Sequence, residues 1–386
     1  MKVFKLIFKN VLRHKLRSLL TILGIAIALI AFGLLRTVVT AWYAGVDASS
    51  ANRLVTRQAV SFIFPLPLSY HDKIANLQGV SKVSYANWFG GVYKDKNQFF
   101  ARMAVDPETF FDVYPECSTT PGELKTFKKE RNSTIIGSDI AKQYNLKVGD
   151  RMTLDGDIFP GSWDFVICGI YQPKYKNTDA TQMLFHWDYL NERMKVESPG
   201  RANEVGWYIV QISDPSKSAQ ISEQIDALFK NSPAETKSET ERAFTQGFIA
   251  ASGAIITAMN VMSWAIVGII LLVLGNTMIM AARERTREYA VFKTLGFSAF
   301  HLTGLIFGES MFISCLGGGI GLLLTFPIVS GMEKVIPKGF MPIFELEPIT
   351  IALAVGSALF IGFVSAVFPI QRALRTKIVD GFRFVG

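Results

Sequence analysis

The chain has 386 residues, 49% of them hydrophobic and 19% charged, where a soluble globular chain carries about 25% charged. That balance excludes a disordered chain and an ordinary soluble enzyme, and it suits a protein that is part membrane-embedded and part water-exposed. Three cysteines exclude a disulfide scaffold and four histidines leave little for a His-rich metal site, while the net charge of +8 sits in short segments beside apolar stretches, unlike the basic folded face of a nucleic-acid binder.

Residues 2–17 hold Lys2, Lys5, Lys9, Arg13, Lys15 and Arg17 and no acid. Phe4, Ile7, Phe8, Val11 and Leu12 share one face at helical spacing, so 1–17 reads as an amphipathic helix in the membrane interface. The first membrane span is assigned to 18–42; its apolar part is longer than a signal-peptide core. Arg36 lies about 27 Å along that helix from Ser18, at the outer interface, where a long cationic side chain snorkels.

Residues 43–246 hold 23 basic and 25 acidic side chains and read as one large domain. Strand-like runs are Arg53–Phe64, Val80–Phe89, Gln98–Val105, Phe165–Tyr171 and Val205–Ile212. Helix-like runs are Ser69–Leu77, Ser138–Tyr144, Trp187–Met194 and Ser216–Phe229, the last opened by Asp214-Pro215. Their alternation predicts a mixed α/β domain. The flanking pieces 50–105 and 205–240 form porter-like halves, and the turn-rich 106–204 reads as an inserted subdomain. Cys117 and Cys168 are either free thiols or a disulfide; nothing in their spacing fixes proximity.

The uncharged run Ala243–Ala282 is 40 residues long, too long for one crossing, which takes about 20. Its first part stands outside as a stalk and the second span is placed at 247–282. A loop follows at 283–301, with four basic and two acidic residues. The third span, 302–332, is broken only by Glu309 and contains Cys315 as a small packing residue. An outer loop at 333–347 leads to the fourth span, 348–371, and a basic tail, 372–386. Basic flanks place the N-terminus, the 283–301 loop and the tail in the cytoplasm, and 43–246 and 333–347 outside. The fold class is thus a four-span α-helical bundle with a large extracytoplasmic mixed α/β domain inserted between spans one and two.

No catalytic constellation is visible. The sequence contains no Gly-Lys pair, so it has no Walker A loop. It has no G-x-S-x-G, H-E-x-x-H or C-x-x-C either, and His14, His71, His186 and His301 are scattered. No catalytic, cofactor-binding or metal-binding residue is assigned to this chain, and no enzyme activity.

Three segments resemble the MacB/FtsX-type permeases of ABC transporters. Arg17-Ser18-Leu19-Leu20-Thr21-Ile22-Leu23-Gly24-Ile25 is similar to the family's R-x-x-L-T-x-L-G-I opening of span one. Residues 283–296 (Arg-Glu-Arg-Thr-Arg-Glu-Tyr-Ala-Val-Phe-Lys-Thr-Leu-Gly) resemble its E-R-x-x-E-I-x-x-x-x-A-L-G loop, with Tyr289 and Thr294 replacing the usual Ile and Ala. The acid of Gly308-Glu309-Ser310 falls where the family has a Glu early in span three. Phe368-Pro369-Ile370-Gln371-Arg372-Ala373-Leu374 resembles the P-x-x-x-A exit from span four. Within the large domain, Ile136-Gly137, Leu146 to Asp150 and Val166 to Ile170 resemble a MacB-like periplasmic core.

The resemblance implies a non-catalytic permease subunit of the split type, in a bacterial inner (plasma) membrane with its large domain periplasmic. A separate ABC ATPase, in two copies, would bind ATP and Mg and drive it, beside a second permease copy or a paralogue. Motion of the helices would pass to the outer domain (mechanotransmission), driving export or extrusion of periplasmic substrates. A periplasmic adaptor and an outer-membrane channel are possible further partners. The alternatives are an FtsX-type regulator of a partner such as a cell-wall hydrolase, or a lipoprotein-release permease. Arg283, Glu284, Arg285, Arg287, Glu288, Lys293 and Gly296 are the expected ATPase-coupling residues, their alternating charges suiting a soluble partner. Glu309 is a membrane-embedded acid, costly there and in need of a partner. Gly317, Gly318, Gly319, Gly321, Gly356 and Gly362 allow close helix packing, within the chain or at a dimer seam.

Overall fold

The structure is a computed structural model. It describes residues 7, 8, 11, 13–47, 49–96, 98–175, 178–250, 253–336 and 343–375. Phe4 and Leu12 of the amphipathic N-terminal pattern and most of the basic tail lie outside these residues. The chain divides into two units: a helical one within 1–40, 253–334 and 344–386, and a mixed one within 41–252 and 335–343.

Among the described residues four helices are long and apolar enough to cross a membrane. They are α1 (Lys15–Asp47), α9 (Gly253–Glu284), α11 (Ala299–Val335) and α12 (Pro348–Arg375), with short α10 (Thr286–Thr294) between α9 and α11. Leu272, Leu323, Phe360 and Phe363 are exposed on them, as lipid-facing surface requires.

Small residues hold the bundle together. A Cβ on Gly317 would come within 2.7 Å of Ile25 Cβ, on Gly318 within 2.7 Å of Ala358 Cβ, and on Gly321 within 2.7 Å of the Ala26 carbonyl. Gly362 lies against Ser314 and Met311. Ser310 donates to the Gly362 carbonyl at 2.8 Å and Ser314 to that of Ala358 at 2.6 Å, both buried. Interhelical hydrogen bonds and close backbone approach do here what the hydrophobic effect does in water. Gly319 and Gly356 meet nothing within 4 Å, so packing within the chain uses only four of the six predicted glycines. Arg36 does not simply snorkel: its guanidinium donates to Asn260 Oδ1 at 2.7 Å.

The mixed unit is built on a ten-stranded sheet. Its strands are β1 (Arg53–Gln58), β3 (Val80–Trp88), β4 (Ala101–Val105), β5 (Cys117–Ser118), β6 (Ser133–Gly137), β7 (Arg151–Gly156), β8 (Gly161–Pro173), β9 (Gln182–His186), β11 (Trp207–Ile212) and β12 (Thr236–Thr240). The order is β12-β1-β11-β3-β4-β9-β6-β8-β5, with β7 beside β8. The pairs β4–β9 and β6–β8 are parallel and the others antiparallel. Two-residue strands β2 (Leu66–Pro67) and β10 (Glu204–Val205) pair separately. The strands of 106–204 therefore extend the sheet of the flanking halves, joined to it where β4 meets β9.

Helices α2 (Tyr70–Ala75), α3 (Phe110–Val113), α4 (Pro121–Lys129), α5 (Ser138–Tyr144), α6 (Trp187–Glu197) and α7 (Ser218–Leu228) accompany the sheet, and α8 (Glu241–Ala250) follows it. The core is aromatic, with Trp163, Trp187, Tyr208, Phe89, Phe185 and Phe229 almost fully buried. Thr120 and Glu123 form a capping box ahead of α4, which satisfies two otherwise orphaned backbone donors. Asp214 accepts from the Ser216 amide at 3.0 Å and so caps a 3-10 turn at Pro215–Lys217, with α7 itself opening after it at Ser218 without a side-chain cap. Cys117 and Cys168 are free and buried, and burial pushes the Cys168 thiol up to about 11.

His186 caps α6: its Nδ1 accepts from the Asp188 amide at 3.2 Å, a role open only to the neutral ring. Burial lowers its pKa from 6.5, against the nearby Asp188 carboxylate. A histidine lowered in the folded state contributes stability that is fully present above its unfolded value and is lost as pH falls below 6.5, because the unfolded chain then binds the extra proton. His186→Asn keeps a capping acceptor without the titration. Melting curves of the two proteins as pH falls from neutral should show the wild type losing more stability; parallel losses would remove His186 as the cause.

Candidate functional site

The site is built around α10. The helix α9 runs to Glu284 and breaks at Arg285, which stands as the N-cap of α10. At the other end the Gly296 amide donates to the Lys293 carbonyl at 3.1 Å and the Phe297 amide to that of Phe292 at 3.0 Å. That is the Schellman pattern, which needs a left-handed residue; Gly296 supplies it at φ +83°. The Phe292 and Phe297 rings meet at 5.2 Å, the apolar contact that accompanies the motif. Gly296 thus acts through the backbone, ending α10 so that α11 begins three residues later.

Four elements grip this short helix and the end of α9 that leads into it. Arg13, in the N-terminal segment, is ion-paired to Glu288. Arg17, in the first turn of α1, donates twice to Glu284, at 2.8 and 2.6 Å. Arg285 donates to Glu309 of α11 at 2.7 Å, with their side chains 5% and 7% exposed. Lys293 donates to the Ala373 and Leu374 carbonyls at 3.1 and 3.0 Å, at the end of α12 where cations are favoured. Tyr289 and Ala290 are buried beneath the helix, and burial pushes the Tyr289 hydroxyl up to about 12, so it stays neutral. Ile7 packs where a Cβ on Gly308 would stand, 2.5 Å from its Cδ1, and Phe8 meets Phe312 edge-on at 6.0 Å.

The seven loop residues singled out from the sequence therefore divide. Glu284, Arg285, Glu288 and Lys293 are turned inward or sideways onto the bundle, and Gly296 ends the helix. Arg283 and Arg287 are exposed, with no side-chain partner among the described residues. Sequence reasoning missed the apolar tip beside them. Val291, Leu295, Phe297 and Phe300 are exposed, Leu295 by 69% and Phe300 by 84%. Its signal is present in Leu-Gly-Phe-Ser-Ala-Phe at 295–300, apolar residues within a loop whose charges drew the attention. Among the described residues no cluster of His, Cys, Asp and Glu suited to a metal ion occurs.

Two family models match the chain. The model described as MacB-like periplasmic core domain covers residues 18–228, and that described as FtsX-like permease C-terminal covers 260–378. The chain belongs to the MacB/FtsX-type family of ABC transporter permeases. It is 23% identical to an uncharacterised ABC transporter permease of Methanocaldococcus jannaschii, over 97% of this chain and 96% of that one. It is 22% identical to an uncharacterised ABC transporter permease of Bacillus subtilis, over 98% of each. The macrolide export ATP-binding/permease protein MacB of Nitrobacter winogradskyi is 26% identical over 59% of this chain and 37% of that protein. The crystal structure of the periplasmic region of MacB from Actinobacillus actinomycetemcomitans aligns with a TM-score of 0.38 and 13% identity, over 53% of this chain and 95% of that one.

Proposed function

We propose that the chain is a mechanotransmitting permease subunit, driven by a separate ATP-binding subunit that docks on the tip formed by Arg283, Arg287, Leu295, Phe297 and Phe300. The observation that carries this is the contrast at α10. The helix and the adjoining end of α9 are tied by ion pairs and hydrogen bonds to the N-terminal segment, α1, α11 and α12, while the apolar tip is open. A push on the tip is thereby delivered to every span-bearing element at once. Exposed apolar anchors with exposed cations on the same short loop suit a protein-docking surface. The loop, the N-terminus and the tail would lie in the cytoplasm, where ATP is available, and the mixed unit outside.

ATP and Mg belong to the partner in this reading, since the chain has no Walker A sequence. Two ATPase copies and a second permease chain, identical or paralogous, would complete the machine. It would drive export or extrusion of substrates outside the membrane, with an adaptor and an outer channel where the cell envelope has one. The two relatives matched along nearly their whole length are described as permeases, which supports the division of labour.

The test is co-purification of the full chain with its ATP-binding subunit, followed by ATP hydrolysis. Leu295→Asp with Phe300→Asp should reduce the co-purifying ATPase by about thirtyfold, as expected for loss of an interface hot spot. Arg283→Glu with Arg287→Glu should have a smaller, salt-dependent effect. Undiminished ATPase with the doubly substituted tip would move the docking site elsewhere.

A further inference from the structure

The mixed unit contains a cavity of about 450 Å³, within the size range of small-molecule sites. Phe62, Trp88, Trp187 and Trp207 supply aromatic wall. The Phe62 and Trp207 rings sit 5.0 Å apart. Ile63 stands at the wall 87% exposed, on an apolar loop with Phe64, so the apolar surface continues outward from the cavity.

The polar groups on its lining are nearly all committed to one another. The Trp187 indole N–H donates to Asn87 Oδ1 at 2.8 Å. The Asn191 carboxamide donates to Asn203 Oδ1 at 3.1 Å and accepts from the Asn203 amide at 2.7 Å. Arg201 donates to the Ile158 carbonyl at 3.0 Å, and its guanidinium lies over the Phe159 ring at 4.3 Å. Glu204 is different. This half-buried residue lines the cavity, and its carboxylate makes no hydrogen bond or ion pair among the described residues. Burial pushes that carboxyl upward, opposed by the charge of Arg201, so a cation placed beside it would relieve a real cost.

We propose that this cavity is a binding site for a hydrophobic organic monocation, an amine on an aromatic or alkyl body. The body fills the aromatic-walled space and the ammonium is held between Glu204 and the indole faces. Tryptophan is the strongest side-chain partner for a cation through its ring face, and a carboxylate adds charge neutralisation. An anion of the same shape meets Glu204 as a like charge. A neutral analogue gains only the apolar contact. The site is independent of how α10 meets a partner, so it stands or falls apart from the function proposed above.

The experiment uses the full chain in lipid nanodiscs, titrated with phenylbutylamine, phenylbutanol and phenylbutyrate. Tryptophan fluorescence and saturation-transfer NMR read the binding, and empty nanodiscs give the membrane partitioning to be subtracted. The amine should bind saturably and about tenfold more tightly than the alcohol, with the carboxylate weakest. Glu204→Gln should bring the amine to the level of the alcohol and leave the alcohol unchanged, which also shows the cavity intact. No saturable binding beyond empty discs, equal binding of the three probes, or an amine indifferent to Glu204→Gln would each overturn the proposal.

Discussion

Replacing Arg285 with alanine should destabilise the membrane unit more than any other single change in the loop. The reason is the partner it leaves behind. Glu309 is 5% exposed and lies on a helix apolar on both sides of it. Its carboxylate receives Arg285 at 2.7 Å. Removing one member of a buried pair leaves an uncompensated charge and costs about 3–5 kcal/mol. Arg285→Lys keeps the charge but not the planar fork, and should fall between alanine and wild type. Replacing both residues by methionine should recover most of the lost stability, since burying a pair is costly to begin with. Thermal melting of detergent-solubilised protein, followed by size-exclusion chromatography, reads all four chains. Arg285→Ala melting with the wild type would show that the pair does not hold α10. The double variant separates two roles: a purely structural pair would leave ATPase coupling intact once stability returns.

The spans were legible because apolar length is a one-dimensional signal. Each predicted span lies largely inside an observed helix, but α1 continues to Asp47 and α11 to Val335, past the membrane thickness that hydropathy reports. In the mixed unit the five predicted strand runs fall on β1, β3, β4, β8 and β11, while β6, β7, β9 and β12 were missed, although β7 alternates between exposed and buried positions. Thr236–Thr240 is polar at every position, so no apolar pattern announces it. It is held by pairing with β1 and by Asp226, which accepts from Thr236, Ser238 and the Ser238 amide. Ser133–Gly137 is buried at all five positions, a short run with no alternating face. The strand predicted as Arg53–Phe64 stops at Gln58 because that side chain accepts from the Val60 and Ser61 amides and turns the chain.

The loop charges were legible as a group and not as individuals. Whether an arginine faces the bundle or the outside depends on helical phase, and the phase is reset by the break at Arg285. Arg285 thus lies buried while Arg287, two residues on, is exposed. The same limit applies to the glycines. Gly318 and Gly319 are adjacent, yet the first meets Ala358 and the second meets nothing. Only the partner helix distinguishes them.

Arg53→Ala should have a comparable effect in the mixed unit. Arg53 is 4% exposed and its guanidinium is used on every side. It pairs with Glu116 at 2.7 Å and with Glu241 at 2.8 Å. It donates to the Val113 carbonyl at 3.1 Å and lies over the Tyr114 ring at 4.3 Å. Burial works against its charge, but the two glutamates outweigh burial and raise its pKa above the ordinary arginine value. Glu241 is a hub in its own right, accepting from the Tyr114 hydroxyl at 3.1 Å and from the Ser50 amide at 2.8 Å. Ser50 comes just before β1 and Glu241 opens α8, so one cluster fastens the chain's arrival in the sheet, its departure from it and the segment around α3. Loss of Arg53 leaves two carboxylates in little solvent with no counter-charge, at a cost of about 3–5 kcal/mol. Glu241→Gln retains acceptors for Ser50 and Tyr114 and should cost less than half as much. Limited proteolysis should then show cleavage near residues 47–52 and 241–250 in Arg53→Ala before the sheet itself is cut. Loss of the whole sheet at once would mean that the cluster is a part of the core. Release of the two connections first would mean that it fastens the chain's entry to and exit from the sheet and is not part of the core.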